Sequence, residues 1–273
     1  MFTRFLQSVV IVLFAAQPGL AQTPWQFRWQ KGLVLTYKIK HVTSVVEIVG
    51  TSKNTSNSNL DLVNRWQVTD IDAKGAATLS LTLVSMRNEQ KRANGDTLLF
   101  DSQNLEKSTP ELREQMSKFI GQTVALVRID GYGRVLEVKQ GSAASFEAEP
   151  PFVAVFPAAK AEAGQAWRRQ FSVVLDPPFG TGEKFEAEQR YDCRKIDAAK
   201  ATLRVATTFK TMPDNVREQI PLLQKSPQGE LVFDVAAGKL ISAQLNIDKT
   251  IDNHQGKGSS YQFKSQYTRQ LVD

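Results

Sequence analysis

Acidic residues form two close pairs that could perform acid–base chemistry. Asp70 and Asp72 stand two residues apart, and so do Glu147 and Glu149. Two carboxyl groups can hydrolyse a glycosidic bond when one donates a proton and the other attacks or activates water. Asp72 opens the turn-like run Asp-Ala-Lys-Gly at 72–75, which favours a turn-capping role for the first pair. The second pair lies in an Ala- and Pro-rich segment, where solvated carboxylates are the simpler interpretation.

Residues that bind metals or act as nucleophiles are few. The chain has two histidines, His41 and His254, and one cysteine, Cys193. Neither histidine lies in a metal-ligand pattern and one thiol cannot complete a zinc site, so we predict no metal. No Gly-x-Ser-x-Gly is present, and the run Gly-Lys-Gly-Ser at 256–259 has the wrong spacing for a phosphate loop. We therefore predict a non-enzymatic protein with no catalytic residue and no cofactor.

Aromatic residues are the remaining candidates for a ligand-binding site. Trp25 and Trp29 alternate with Phe27, and this segment forms either a first strand or an exposed strip that binds lipid or sugar. Phe100 lies in segment 87–104, which the second half of the chain lacks, and such loops often acquire function. Trp25, Trp29 and Phe100 are thus the candidate ligand-binding residues. A strand and a longer hairpin without a ligand are the simpler interpretations.

The framework that positions these residues is predicted from alternation. Apolar and polar residues alternate in several runs, which is typical of antiparallel strands with one buried face; the runs are 33–40, 78–83, 171–175, 203–209, 241–247 and 261–267. Turn residues separate strand-like runs, as at Asp130–Gly133. The Ser-, Thr- and Asn-rich run 51–59 predicts a mobile loop. The fold class is mainly β, a β-rich α+β fold of curved antiparallel sheet.

Three sets of residues recur in one order and indicate a duplicated module. Arg65–Val68 matches Arg190–Cys193, Leu112–Met116 matches Val216–Ile220, and Gly133–Leu136 matches Gly238–Ile241. Helical spacing predicts one short helix in each module, and Pro221 shortens the second. We predict a first β module at 22–140, an Ala- and Pro-rich linker at 141–163 that packs onto the modules, and a second β module at 164–273.

The first 21 residues have the features of a signal peptide. Arg4 precedes a short apolar core at 9–16, and Gly19-Leu20-Ala21 predicts cleavage after Ala21. The apolar core is too short to span a bilayer, which takes about 20 residues. We therefore expect a periplasmic or secreted protein whose mature chain has no transmembrane segment. A long exported chain with one cysteine, and so no internal disulfide, fits a bacterial periplasm or exterior.

Charge indicates which partners to expect. The net charge is +6, and cleavage removes one positive charge, Arg4. An excess of positive charge favours anionic surfaces such as phospholipid or lipopolysaccharide, so peripheral contact with a membrane surface is one expectation. The basic residues form no stripe with interleaved aromatics, so we expect no nucleic acid partner.

Several short sequence motifs resemble those of a family of exported bacterial β-rich proteins of unknown function. Pro157 is followed by Gly-x-x-Trp at 164–167, which in that family opens the second half. The run at 29–37, Trp-Gln-Lys-Gly followed by Leu-Thr-Tyr, and the run at 100–102, Phe-Asp-Ser, also resemble it. The resemblance implies export and a duplicated β architecture, and it carries no catalytic residues to this chain.

These observations together predict a binding or scaffolding protein. We expect it to be exported and non-enzymatic and to hold a lipid or other hydrophobic ligand on concave sheet faces. One alternative is a protein-interaction module of an envelope assembly, which would bind an envelope protein through exposed strand edges. The other is a hydrolase of envelope polymers with unidentified carboxylates.

The placement of the one thiol is testable. Period two puts Cys193 on the inward face of its strand, with Tyr191. We expect the native thiol to react slowly with a labelling reagent and quickly in urea. Cys193→Ser should lower the free energy of unfolding by about 1–3 kcal/mol, because it buries a hydroxyl among apolar groups. Rapid labelling of the native protein would contradict this placement.

Overall fold

The computed structural model describes residues 24–159, 161–177 and 180–272, so the predicted signal segment 1–21 lies outside the described residues. The described chain is mainly β, as predicted. Its strands are β1 (Val34–Val49), β2 (Ser52–Ile71), β3 (Ala77–Lys91), β4 (Thr97–Asp101), β5 (Thr123–Ile129), β6 (Val135–Gln140), β7 (Ala166–Leu175), β8 (Glu183–Asp197), β9 (Lys200–Phe209), β10 (Gln228–Asp234), β11 (Lys239–Asp252) and β12 (Ser260–Val272). The α-helices are α1 (Pro110–Met116), α2 (Ala143–Ala148) and α3 (Ile220–Leu223).

All twelve strands belong to one antiparallel sheet. Its order is β6-β5-β3-β2-β1-β12-β11-β10-β9-β8-β7, and β4 pairs only with β3. Most strands that follow one another along the chain are neighbours in the sheet, as in a meander, whereas β6 and β7 lie at its opposite edges. The pairing that joins the two halves is that of β1 with β12, which runs from Thr36–Val272 to Ile48–Ser260. The predicted modules thus share one sheet, while their duplication remains a prediction.

The expectation of a mobile loop at 51–59 is wrong. Strand β2 begins at Ser52 and pairs with β1 from Ser52 to Gln67, and from Asn57 onward it also pairs with β3. Serine and asparagine have low strand propensity, but such preferences yield to the pairing that neighbouring strands offer. The apolar strand at 42–49 supplies that pairing, so the polar composition of its partner misled the sequence-based prediction.

The sheet is strongly curved, because strands far apart in it share one core. Val127 of β5 and Tyr191 of β8 belong to the same cluster of buried apolar residues, together with Phe152 and Phe156 of the predicted linker. Cys193 belongs to it as well and is buried, as the alternation predicted. The concave face of the sheet therefore surrounds the core.

The predicted linker crosses the concave face between the edge strands β6 and β7. It carries α2 and then an extended segment whose aromatic side chains are buried, as the sequence predicted. Backbone groups of this segment bind distant parts of the sheet: Tyr191 Oη donates to Val153 O at 2.7 Å, Trp167 Nε1 to Val155 O at 2.6 Å, and Phe156 N to Tyr132 O at 2.8 Å. These bonds hold the linker against the sheet.

Segment 25–29 covers one end of the sheet without forming a strand, contrary to one of our expectations. Its backbone binds the turn between β5 and β6 and the turn between β10 and β11, through Phe27 N to Gly131 O (2.7 Å) and Arg28 N to Gly238 O (3.1 Å). Phe27 stacks on Trp29 at 5.0 Å and contacts Phe152 at 5.2 Å. The alternating aromatic residues of segment 25–29 therefore pack into the core and do not form a strand.

The two predicted helices are present and short. α1 buries none of its residues, whereas α3 buries Leu222 in a small cluster with Phe171 and Val173. α1 follows β4, whereas α3 follows β9, which runs toward the end of the sheet opposite segment 25–29. This end is covered less completely than the other.

The fit between the linker and the turn at 130–133 is testable with two glycines. Gly133 has a φ of +86°, and a Cβ there would lie 2.4 Å from Ala154 O. Gly75 has a φ of +81° with nothing within 4 Å. Gly75→Ala should cost about 1–2 kcal/mol of unfolding free energy from left-handed strain alone. Gly133→Ala should cost about 1–3 kcal/mol more, because the linker must also move. Equal losses in urea unfolding would show that the contact is not tight.

Candidate functional site

A cavity of about 580 Å³ lies between the concave face of the sheet and the linker. Its position follows from the alternation along β1. The inward residues Leu35, Tyr37 and Ile39 pack into the core, and the same face continues as His41 and then Thr43, which line the cavity. The cavity therefore begins where the aromatic core ends.

Apolar side chains form the larger part of the cavity wall. They come from strands in the middle of the sheet and from the linker, and they include Val45, Leu81, Phe146, Leu245, Ile247 and Phe263. Burial of an apolar ligand against such a wall is favourable by about 0.8 kcal/mol for each CH₂ group. The volume lies within the usual range of sites for one small ligand, about 300–1,000 Å³.

Two buried polar groups on this wall lack a hydrogen-bond partner. Asn64 is 5% exposed and Trp66 is 2% exposed, and both line the cavity from β2. Asn64 Oδ1 and Trp66 Nε1 have no partner among the described residues. A buried polar group without a partner costs about 1–3 kcal/mol. Both atoms are enclosed by the surrounding side chains.

Arg269 brings a positive charge to the same wall. Its guanidinium carbon lies 5.4 Å from the centre of the Tyr37 ring and 5.8 Å from that of Tyr267. Nη1 donates to the carbonyl of Pro151 in the linker, whereas the buried Nε has no partner among the described residues. Burial raises the pKa of Tyr267, an effect that the nearby guanidinium opposes. The hydroxyl is therefore neutral near pH 7 and does not balance the charge.

One carboxylate lines the cavity among the described residues, and it is paired. Glu149 Oε1 lies 2.7 Å from Lys225 Nζ, and both side chains are substantially exposed. This ion pair links the linker to the segment after α3. It leaves Arg269 as the cationic side chain of the wall that has no carboxylate partner in the described parts of the chain.

His41 lies on the cavity wall next to the aromatic core. Its Nε2 is 2.8 Å from Ser265 Oγ, and its ring meets that of Tyr267 edge to face at 5.8 Å. Burial lowers the pKa of His41, and the carboxylate of Glu149 opposes this shift. A neutral imidazole that shares a hydrogen bond with a hydroxyl is the expected state at neutral pH.

Gln189 is an amide on the wall whose oxygen and nitrogen both have internal partners. Gln189 Nε2 donates to Thr207 Oγ1 at 3.2 Å, and its Oε1 accepts from Arg169 Nη2 at 3.1 Å and from the Tyr191 hydroxyl. Burial raises the pKa of Tyr191 to about 12, so this hydroxyl remains a donor. The internal partners of Gln189 contrast with the unpartnered oxygen of Asn64.

The residues proposed from sequence lie outside the cavity wall. Trp25 is 4% exposed and contacts the rings of Phe156 and Trp167, and Trp29 donates to Asp130 O at 3.1 Å. Phe100 is buried on β4. The cavity wall contains none of the three candidates. Packing within the fold accounts for their apolar character.

The acidic pairs have structural roles. Asp72 Oδ1 accepts from the backbone of Lys74 at 2.8 Å and of Ala76 at 3.0 Å, and Oδ2 pairs with Arg128. The hydrogen bond from Arg128 holds the pKa of Asp72 below its usual range. This confirms the turn-capping interpretation. Asp70 lies 3.6 Å from Lys31 on the surface.

The described residues contain neither a cluster of metal ligands nor a membrane-spanning helix. Within 24–159, 161–177 and 180–272, no three His, Cys, Asp or Glu side chains gather as a metal site requires. In the same ranges no helix has the length and apolarity to cross a membrane.

The sequence contains a further signal for the cavity, namely polar residues at inward positions of otherwise apolar strand faces. Arg269 and Ser265 share the inward face of β12 with Phe263 and Leu271, and Asn64 shares that of β2 with its apolar neighbours. A charged or amide side chain on an otherwise apolar strand face is buried unless the strand is at the surface. Polar exceptions on the inward faces are therefore the pattern that points to these residues.

Comparisons with known proteins assign no family. No family profile matches the chain, and no curated protein matches it. A lipovitellin structure that concerns that protein's lipid–protein interactions aligns at 13% identity with a TM-score of 0.48; the alignment covers 89% of this chain and 25% of the lipovitellin chain. DynF of the dynemicin biosynthesis pathway of Micromonospora chersina aligns at 9% identity with a TM-score of 0.23, over 100% of this chain and 94% of DynF. These scores support no assignment, and the resemblance to exported bacterial β-rich proteins remains a prediction.

The environment of His41 predicts a pH dependence. Because burial lowers its pKa in the folded state, the unfolded chain binds more protons at mildly acidic pH. The contribution of neutral His41 to stability is complete above the unfolded pKa of about 6.5 and declines as the pH falls below it. We expect the urea midpoint to fall from pH 7.5 to pH 5.5, and to fall less in His41→Gln. Equal falls would show that His41 is solvated.

Proposed function

We propose that this protein is an exported, non-enzymatic binding protein that holds a lipid or other hydrophobic ligand in the cavity between its curved sheet and its linker. The observation that carries the proposal is the cavity itself, about 580 Å³ with largely apolar walls. A core that served stability alone would be close-packed, because protein interiors contain few voids larger than a water molecule. Export stays a prediction from segment 1–21, and so does contact with a membrane surface.

The alternatives have less support in the geometry. An interaction module that pairs through strand edges needs a free edge. Here α2 packs against the edge strand β7, where Arg169 donates to the helix carbonyls Glu147 O at 2.6 Å and Ala148 O at 3.0 Å. A hydrolase with two facing carboxylates would need both in one cleft, but on the described cavity wall Glu149 has no carboxylate opposite it. Ligand binding remains the function that the geometry favours.

Filling the cavity tests the proposal. Thr43 lines the cavity from β1, so Thr43→Trp places an indole where the ligand would lie. Thr250 is exposed on β11, so Thr250→Trp is the matched control. The probe is N-phenyl-1-naphthylamine, a neutral apolar dye whose fluorescence rises in apolar surroundings. We expect saturable binding to the wild type, at least tenfold weaker binding to Thr43→Trp and unchanged binding to Thr250→Trp.

Thermal unfolding of both variants shows whether the fold survives the change. Folded Thr43→Trp that binds the dye as tightly as the wild type would place the dye elsewhere. No binding of the dye to the wild type, with no apolar compound extracted from protein purified gently from its exporting host, would contradict the proposed function.

A further inference from the structure

We propose that the cavity holds an anionic oxygen head group at Arg269, so that its ligand is a single-chain amphiphile with a carboxylate or phosphate on an apolar chain. The inference rests on the proposed function, because it names the class of ligand that the cavity takes. It is carried by the charge of Arg269, which lines the cavity and has no carboxylate partner among the described residues.

The register of three neighbouring strands places Asn64 and Arg269 on either side of β1. Asn64 of β2 stands opposite Tyr37 of β1, and Arg269 of β12 stands opposite Ile39 of β1. Adjacent strands are about 4.8 Å apart, so Asn64 and Arg269 flank the same strand from both sides. The Arg269 guanidinium leans over the Tyr37 ring, at 5.4 Å, and so toward Asn64. Both side chains line the cavity, so a head group at Arg269 would lie on the wall that Asn64 shares.

The chemistry of the free groups selects an acceptor. The Arg269 guanidinium can only donate hydrogen bonds, and one of its terminal nitrogens binds the Pro151 carbonyl. Oxygen atoms of a carboxylate or phosphate would accept from the guanidinium N–H groups that remain. An ammonium head group would bring more donors to a place that already lacks acceptors.

The charge of the wall points the same way. Its charged residues in the described chain are Glu149, Lys225 and Arg269, and the first two form an ion pair at the rim. Arg269 touches two tyrosines and a carbonyl, none of which is negatively charged near neutral pH. An anionic head group would supply the missing charge, and charge-assisted hydrogen bonds are stronger than neutral ones.

The rest of the cavity fits an apolar chain. Beyond the polar groups, the walls continue toward the less covered end of the sheet through Val45 of β1, Ile247 of β11 and Phe263 of β12. The head group would lie deep, against the aromatic core, and the chain would extend outward. A volume of about 580 Å³ suits one such chain rather than a cluster of lipids.

A series of ligands with one chain length tests the head group. Full-length mature protein is titrated with dodecanoate, dodecyl phosphate, dodecanol and dodecylamine, each below its micelle concentration, in competition with N-phenyl-1-naphthylamine. We expect at least one of the two anions to bind at least tenfold more tightly than dodecanol, and dodecylamine to bind more weakly than dodecanol. The ratio of the dissociation constants of dodecanoate and dodecyl phosphate identifies which anionic group the site prefers.

Arginine variants then assign the preference to its residue. In Arg269→Met the anion should bind within about twofold as tightly as dodecanol, while the affinity for dodecanol changes little. Arg269→Lys should retain part of the higher affinity for the anion. Arg168→Met is the matched control, because Arg168 is exposed and pairs with Glu188 at 3.0 Å, and it should keep the wild-type ratio. An unchanged ratio in folded Arg269→Met would overturn the assignment.

The wild-type series decides the proposal even if a variant fails to fold. Dodecanol that binds as tightly as both anions would overturn the head-group inference and leave the proposed function intact. Failure of all four ligands and of the dye to bind would instead contradict the proposed function.

Discussion

The concave face of the sheet must be covered, and the rest of the structure depends on how this is done. A curved sheet closes on itself with a side-chain-filled interior at about eight strands, and a wider one encloses more space than its own side chains fill. This sheet has eleven strands in its main path. The extra space is filled from outside the strands, by Phe27 of the N-terminal segment and by Phe152 and Phe156 of the linker. Where these aromatic residues end, the cavity begins.

Covering from outside also explains how the linker is held. Its carbonyl groups accept hydrogen bonds from Tyr191, Trp167 and Arg269, which stand on three different strands. A segment without regular structure inside a protein must find partners for its backbone, because an unpaired buried carbonyl is costly. The sheet supplies those partners through side chains. The same contacts fix the linker as one wall of the cavity, so the features that stabilise the fold also shape the site.

The polar groups of the wall lie where the aromatic core ends and the cavity begins. Both polar atoms of the Gln189 side chain have internal partners, whereas Asn64, Trp66 and Arg269 each keep a buried atom without one. Such atoms lower the stability of the empty protein, and strands hold them in place more rigidly than loops would.

The sequence by itself determined the strands, most turns and the inward placement of residues such as Cys193 and Tyr37, because alternation is a local property of the chain. It also predicted that the linker would be buried, since Phe152 and Phe156 stand out in an Ala- and Pro-rich segment. It misplaced segment 51–59, whose strand is imposed by its partner. The ligand-binding candidates it offered, Trp25, Trp29 and Phe100, pack within the fold outside the cavity wall. Only the tertiary structure decided that His41, Asn64 and Arg269 share one wall. They lie more than 200 residues apart in the chain from first to last, and the pairing of β1 with both β2 and β12 brings them together, which no local pattern encodes.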